Sequence, residues 1–267
     1  MNIQFYKYQG TGNDFVILDN RNREYCHLSK AQIKFLCDRR FGIGADGLML
    51  LNLLEGYDFE MKYYNADGGE SSMCGNGGRC LVKFAYDVGI IKSSYHFLAI
   101  DGEHEAFFGD RGWVHLKMKD VDKIDEDDGN CIIDTGSPHY IKIVNDVRNY
   151  DVFDEGKRIR YSKEFKEQGI NVNFVEVQDD RIWVRTYERG VENETFSCGT
   201  GVTASALACS QNYVGFNRVE VQTPGGHLAV EYDKVSDSFF KNIWLCGPAS
   251  FVFTGEIKLK KSSMTAT

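Results

Sequence analysis

Prolines number only three in 267 residues, and no low-complexity tract occurs, so nothing marks the chain as disordered or fibrous. Its length suits one large domain or two of ordinary size. Positive charge is in deficit: 31 Lys and Arg stand against 39 Asp and Glu, and no basic cluster offsets the net −8. That removes the electrostatic footprint for nucleic acid or an anionic membrane surface, so neither is an expected partner. Long apolar runs are missing too. No stretch approaches the roughly 18 uncharged apolar residues that would cross a bilayer. "MNIQFYKYQG" has neither the apolar core nor the small-residue cleavage site of a signal peptide, so the expected location is the cytoplasm.

The eight cysteines form no CxxC pair and no tight Cys/His cluster, which argues against a structural zinc site. A chain of this size in a reducing compartment needs no disulfide framework. Cys26, Cys37, Cys131, Cys209 and Cys246 are therefore expected to be small core residues.

Two cysteines are different. "ESSMCGNG" (70–77) and "ETFSCGTG" (194–201) share the pattern Glu-[Ser/Thr]-x-x-Cys-Gly-[Asn/Thr]-Gly, with Cys74 and Cys198 standing 124 residues apart. Thr11-Gly12 and Thr135-Gly136 recur at the same offset, as do Gly102 and Gly226. The order within each half also agrees: a TG turn, a helix, strands, the cysteine turn, a helix, then strands around a glycine. This predicts an α+β fold of two pseudo-symmetric domains, 1–120 and 121–249, with the charged stretch 119–130 as the seam. The alternating tail from about 250 to 267 is expected to return to the first half.

Local patterns place the motifs. Ser29 can cap a helix running to about Arg40, with Ile33, Leu36 and Cys37 on one face. Helical spacing follows each special cysteine, and strand candidates precede them at 59–64 and 181–187. Further strands are expected at 3–8, 113–118, 171–177, 218–222 and 227–232. "GIGADG" (42–47) satisfies a dinucleotide-loop pattern, but a helix precedes it and the apolar run "LMLLNLL" follows, the reverse of what that loop requires.

A cysteine at the start of a helix sits where backbone N–H groups lack partners and the dipole is positive. Its pKa is expected to fall, and adjacent glycines let a carboxylate approach the bare N–H groups. Two such turns across a cleft would suit inversion at an amino-acid α-carbon, one thiolate removing a proton while the opposite thiol delivers one. A redox pair of thiols, or a non-catalytic binding protein, remains open at this point. No lysine stands in a context that calls for pyridoxal phosphate, and neither a metal nor any other cofactor is expected.

Taken along the whole chain, "GTGNDFVILD", "GIGADG", "NADGGESSMCGNGGRC", "TGSPHYI", "GINVNFVEV", "YERGVENETFSCGTG" and "TPGG" resemble the blocks of the diaminopimelate epimerases, members of the cofactor-independent two-cysteine amino-acid racemases. The resemblance implies that each domain wraps β-structure around a central helix, with the site in the interdomain cleft. It implies conversion of LL-2,6-diaminopimelate to the meso form, toward lysine and peptidoglycan, by a homodimer; a related racemase is the alternative. It makes Cys74 and Cys198 the acid–base pair, supported by His139, and Asn13, Asn65, Asn76 and Asn171 substrate contacts. Gly75 with Asn76, and Gly199 with Thr200, become the anion-holding turns. Glu188 would take the ammonium, and Arg189 would fork onto the distal carboxylate. Two positions depart from the pattern. Ser137 stands where many members have asparagine and Gly47 where some have glutamine, so neither is expected to contact substrate.

Overall fold

The computed structural model describes residues 1–210 and 213–259. Its first half runs β1 (Asn2–Gly10), β2 (Asn13–Asp19), α1 (Lys30–Cys37), β3 (Gly47–Asn52), β4 (Phe59–Asn65), β5 (Glu70–Ser71), α2 (Gly75–Asp87), β6 (Ser94–Ala99), β7 (Gly102–Phe108) and β8 (Val114–Lys117). The second runs β9 (Asp125–Asp127), β10 (Asn130–Asp134), β11 (Pro138–Ile143), α3 (Val152–Arg160), β12 (Asn171–Val177), β13 (Ile182–Glu188), β14 (Asn193–Thr195), α4 (Gly199–Ala208), β15 (Gly215–Thr223), β16 (Gly226–Ser236) and β17 (Phe239–Gly247), with β18 (Ser250–Lys258) last. It is a sheet-dominated α+β fold.

The strand pairings repeat. The parallel pair β2–β3 is matched by β11–β12, and the parallel pair β4–β6 by β13–β15. Antiparallel β3–β4–β5 is matched by β12–β13–β14, and the meander β6–β7–β8 by β15–β16–β17. The two meanders meet where β8 pairs with β17, from Trp244↔Lys117 to Gly247↔Val114. The last strand crosses back: β18 pairs antiparallel with β1 from Asn2↔Lys258 to Gln9↔Ser250. Residues 260–267 of the expected returning tail lie outside the described residues.

Each half packs its sheet around one helix. α2 lies against β1, β2, β3 and β8, and α4 against β10 to β13 and β15 to β17. α4 is buried on nearly every side, which only a helix as thin as "GTGVTASALA" permits. Leu81, Phe84 and Ala85 of α2 share one large core with Val202, Ala206 and Leu207 of α4.

Local expectations need three corrections. α1 stops at Cys37 because the Asp38 side chain accepts from the Arg40 and Phe41 N–H groups and turns the chain. The stretch 119–130 is only partly loop: Val121 is buried and bridges Phe240, and β9 pairs with β10. Cys26 is exposed and belongs to no core, whereas Cys37 and Cys246 are buried. Among the described residues, no helix is long and apolar enough to cross a membrane.

The predicted cap of α1 is present as a full capping box. Gln32 N–H donates to Ser29 Oγ at 3.3 Å, and Ser29 N–H donates to Gln32 Oε1 at 2.9 Å. Ser29→Ala should therefore cost about 1 kcal/mol and lower Tm by roughly 2–4 °C in calorimetry. An unchanged Tm would show that the helix is held by packing alone.

Candidate active site

Cys74 and Cys198 are the N-cap residues of α2 and α4, both in extended backbone conformation. The two helix starts touch. A Cβ built on Gly199 would lie 3.3 Å from Gly75 Cα and 2.9 Å from Leu245 Cδ2, and one on Gly75 would lie 3.6 Å from Gly199 Cα. Glycine at both positions is what lets the positive ends of two helices meet, with one thiol immediately before each. Both sulfurs feel the charge of Glu188, and Cys198 also feels Cys74.

Around Cys74, every amide orientation is forced by its partners. Asn13 Nδ2 donates to Asp46 Oδ2 at 2.7 Å, which leaves Asn13 Oδ1 facing Cys74 Sγ at 3.5 Å and Asn76 Nδ2 at 3.4 Å. Asn76 Nδ2 also donates to the Ser197 carbonyl at 2.9 Å, tying the first cysteine turn to the second. Arg79, wholly buried, donates to Asn76 Oδ1 at 3.0 Å, to Gly75 O at 3.2 Å and to Thr11 Oγ1 at 3.4 Å. Arg39 clamps Asp14 and Asp46 behind Asn13.

Around Cys198 lies a second network. Its sulfur is 3.4 Å from Thr200 Oγ1, which is 2.9 Å from His139 Nε2. His139 Nδ1 is 3.0 Å from Asn173 Nδ2, and Asn173 Oδ1 accepts from Thr186 Oγ1 at 2.9 Å. Burial, helped by the charge of Arg189, holds the His139 pKa down to about 3, so the ring is neutral. Asn171 joins this wall through its Nδ2, which donates to Ser137 Oγ at 2.8 Å and to Pro138 O at 3.1 Å. Asn171 Oδ1 accepts from the Arg189 N–H at 2.8 Å, and the Arg189 guanidinium reaches Ser137 Oγ at 3.3 Å. Glu188 accepts from Thr195 Oγ1 at 2.8 Å; its burial raises its pKa.

The structure thus gathers Asn13, Asn76 and Cys74 into one cluster and Cys198, Thr200 and His139 into another. Asn171 and Arg189 are joined through Ser137. Asn65 stands apart, exposed at the end of β4 where its backbone closes the 65–69 turn, although its strand register puts it opposite Gly47. Gly47 has no room for a side chain: a Cβ there would lie 2.5 Å from Tyr63 Cε2 and 2.7 Å from Tyr64 O. Ser137 departs from the family pattern, yet its hydroxyl adds a second link between Asn171 and Arg189 beside their direct hydrogen bond.

One electrostatic expectation is reversed. The helix starts do favour thiolate, through the N–H groups of Gly77 and Asn76 at Cys74 and of Gly201 at Cys198. Burial outweighs them and pushes both thiols up. Thiolate at either sulfur therefore needs compensation for the water it loses.

The family model for diaminopimelate epimerase matches residues 5–122 and 131–252. The chain belongs to the diaminopimelate epimerase family. The family makes it an isomerase, an amino-acid epimerase. A diaminopimelate epimerase of Flavobacterium psychrophilum is 47% identical over 253 residues, covering 94% of this chain and 98% of the relative. One of Chlorobaculum tepidum is 43% identical over 262 residues, covering 94% and 99%. The fold extends further than the family. A phenazine biosynthesis protein of the PhzF family from Bacillus anthracis superposes with a TM-score of 0.74 at 17% identity, covering 97% of this chain and all of that one. A probable proline racemase of Agrobacterium radiobacter K84 does so at 0.67 and 15%, covering 98% and 94%.

Against this epimerase family background, sequence reasoning passed over Arg79, Thr11, Asn173 and Thr186. Arg79 had a visible signal, a charged residue one turn into a helix whose start is glycine-rich. Asn173 and Thr186 had none, because they meet only through the β12–β13 register.

Proposed function

We propose that the chain interconverts LL- and meso-2,6-diaminopimelate by a two-base reaction in which Cys74 and Cys198 address opposite faces of one α-carbon. The observation that carries this reading is the contact of Gly75 with Gly199, which sets the thiols of two N-cap cysteines at abutting helix starts. The backbone N–H groups of Gly75–Asn76 and Gly199–Thr200 would hold the α-carboxylate and the charge that builds on it as the Cα–H bond breaks. Glu188 would take the ammonium. Arg189, steadied by Ser137 and Asn171, would fork onto the distal carboxylate. Asn13 would contact substrate beside Cys74, and Asn65 would do so only after a shift from its exposed position.

In each turnover the base sulfur gains the Cα proton and the acid sulfur loses its own to the opposite face. The positive ends of the helices and the substrate ammonium would offset the burial that disfavours thiolate at both sulfurs. The scheme needs no electron sink, so neither metal nor flavin nor pyridoxal phosphate takes part in it. The product would feed lysine and peptidoglycan synthesis in the cytoplasm. A homodimer is part of the proposal; exposed Phe251, Val252 and Phe253 on β18 offer apolar surface for it. We also infer two domains dividing within 119–130, the first completed by β18.

Incubation with LL-diaminopimelate in D2O tests the reading. Deuterium should appear at Cα, with formation of the meso isomer, in the absence of any added cofactor. Exchange into a different amino acid and none into diaminopimelate would shift the assignment to a related racemase. A thiol-redox or binding protein would give no exchange at all.

A further inference from the structure

The strand register assembles a side-chain cluster that no spacing in the sequence announces. His115 on β8 stands opposite Cys246 on β17. Glu231 on β16 lies diagonally beside Cys246, being paired with Trp244 two residues before it. Alternation along the strands turns all three side chains to one face of the sheet. Cys246 Sγ is 3.2 Å from His115 Nδ1, and Glu231 Oε2 is 3.3 Å from the same nitrogen. The three ligand atoms all lie within 4.8 Å of one another. His115 and Cys246 are buried, and the Glu231 side chain is mostly so.

The surroundings fit a divalent cation. Zn–N bonds of about 2.0 Å and Zn–S bonds of about 2.3 Å put neighbouring ligand atoms of a tetrahedral site about 3.3–3.6 Å apart, within a few tenths of an ångström of these distances. One ring nitrogen cannot give its hydrogen fully to both a sulfur and a carboxylate, whereas a cation between them serves all three. The ring itself is fixed. It stacks on Phe107 at 4.6 Å, and Gly109 leaves room for its far edge, since a Cβ there would lie 2.0 Å from Nε2. Arg218 Nη1 donates to Glu231 Oε1, which leaves Oε2 for the cluster, and Arg218 Nε donates to Glu220 Oε1 at 2.7 Å. Charge then closes: thiolate and carboxylate neutralise a dication, and Glu220 neutralises Arg218. Burial pushes the Cys246 thiol up and the charge of Glu231 adds to it, while Arg218, Arg79 and the Glu231 N–H favour thiolate. A bound cation deprotonates such a thiol outright, with release of one proton.

We propose that His115, Glu231 and Cys246 hold one divalent cation of the zinc class, with a water completing the fourth position. A thiolate beside an imidazole selects a borderline-soft ion over magnesium or calcium. The partly exposed Glu231 gives the ion its way in. The ion is a staple and not a reactant: β8 belongs to the first half and β16 and β17 to the second, so it ties the halves together where their meanders meet. It also steadies β17 close to the cysteine turns. On one side of Cys246, Leu245 packs against Gly75 and Gly199; on the other, Gly247 lies against Arg79. No proton transfer runs through the ion, and the inference stands whether or not diaminopimelate is the substrate.

Titration of the reduced, metal-stripped chain with Co2+ tests it. One equivalent should bind with a sulfur-to-cobalt charge-transfer band, and Zn2+ should displace it. Cys246→Ser should abolish the band. Glu231→Gln should weaken binding by about tenfold or more, since even groups that only support a metal ligand are worth about 10–100-fold. A chain carrying both Cys74→Ala and Cys198→Ala should keep the band, which separates this cluster from the cysteine turns. Zn2+ should also raise the Tm of the wild type and leave that of Cys246→Ser unmoved. No band in the wild type, a band kept by Cys246→Ser, or one lost with Cys74 and Cys198 would overturn the site. Should Cys246→Ser fail to fold, Glu231→Gln decides alone, and an unchanged affinity would refute the cluster.

Discussion

Replacing either Cys74 or Cys198 by alanine should reduce epimerisation of diaminopimelate by about a thousandfold or more, within the 10²–10⁴ range of acid–base groups or beyond it. The loss should be alike for the two variants, although their settings differ. With Cys198 gone, Cys74 still faces the α-carbon but no partner receives or supplies the proton on the other side. With Cys74 gone, the converse holds. Inversion needs both faces in both directions, so neither direction survives. Stability should change little, since each substitution deletes one sulfur beside glycine backbone and neither thiol caps its own helix. Equal Tm with lost turnover is thus the expected signature, read by calorimetry and by a coupled assay for the meso isomer. A single variant that kept a tenth of wild-type kcat would remove that cysteine from the reaction.

How much of this is legible in the sequence depends on whether the signal is local. The duplication was legible because glycines and cysteines survive at fixed offsets where backbone conformation or close approach demands them, and Gly75 with Gly199 is such a place. The strand at 171–177 and the helices after each cysteine could be read from periodicity. The pKa direction of the thiols could not. The helix-start argument considers only the N–H groups, while the sheet that wraps each helix removes water and decides the sign. Asn173 reads as one more residue of a buried strand until β12 and β13 are laid side by side and it meets Thr186. Ser137 looked like the loss of a substrate contact, yet its shorter side chain keeps a polar link between Asn171 and Arg189.

Arg79 gives the second large expected effect, and it separates activity from stability. Its side chain is fully buried; its Nε has no hydrogen-bond partner among the described residues, and its guanidinium donates to a carbonyl, an amide oxygen and a hydroxyl. Gly10 and Gly247 make room for it: a Cβ on either would come within 3.4 Å of the guanidinium. Burial lowers its pKa, as expected for a cation taken out of water, and such burial costs several kcal/mol. Replacing it with methionine would relieve that cost but leave Gly75 O, Asn76 Oδ1 and Thr11 Oγ1 short of a donor, at about 1–3 kcal/mol each. The two effects are of similar size and opposite sign, so Tm should stay within a few degrees of wild type. Activity has no such compensation. Arg79 holds Asn76 so that its Nδ2 faces Ser197 and Asn13, and it adds positive charge beneath the turn proposed to hold the α-carboxylate. Arg79→Met should therefore lower kcat/KM by about a hundredfold, and Arg79→Lys should not restore it, because one ammonium cannot span three acceptors. A folded methionine variant with wild-type kcat/KM would reduce Arg79 to a buried strut, and a variant that failed to fold would show that the network serves stability first.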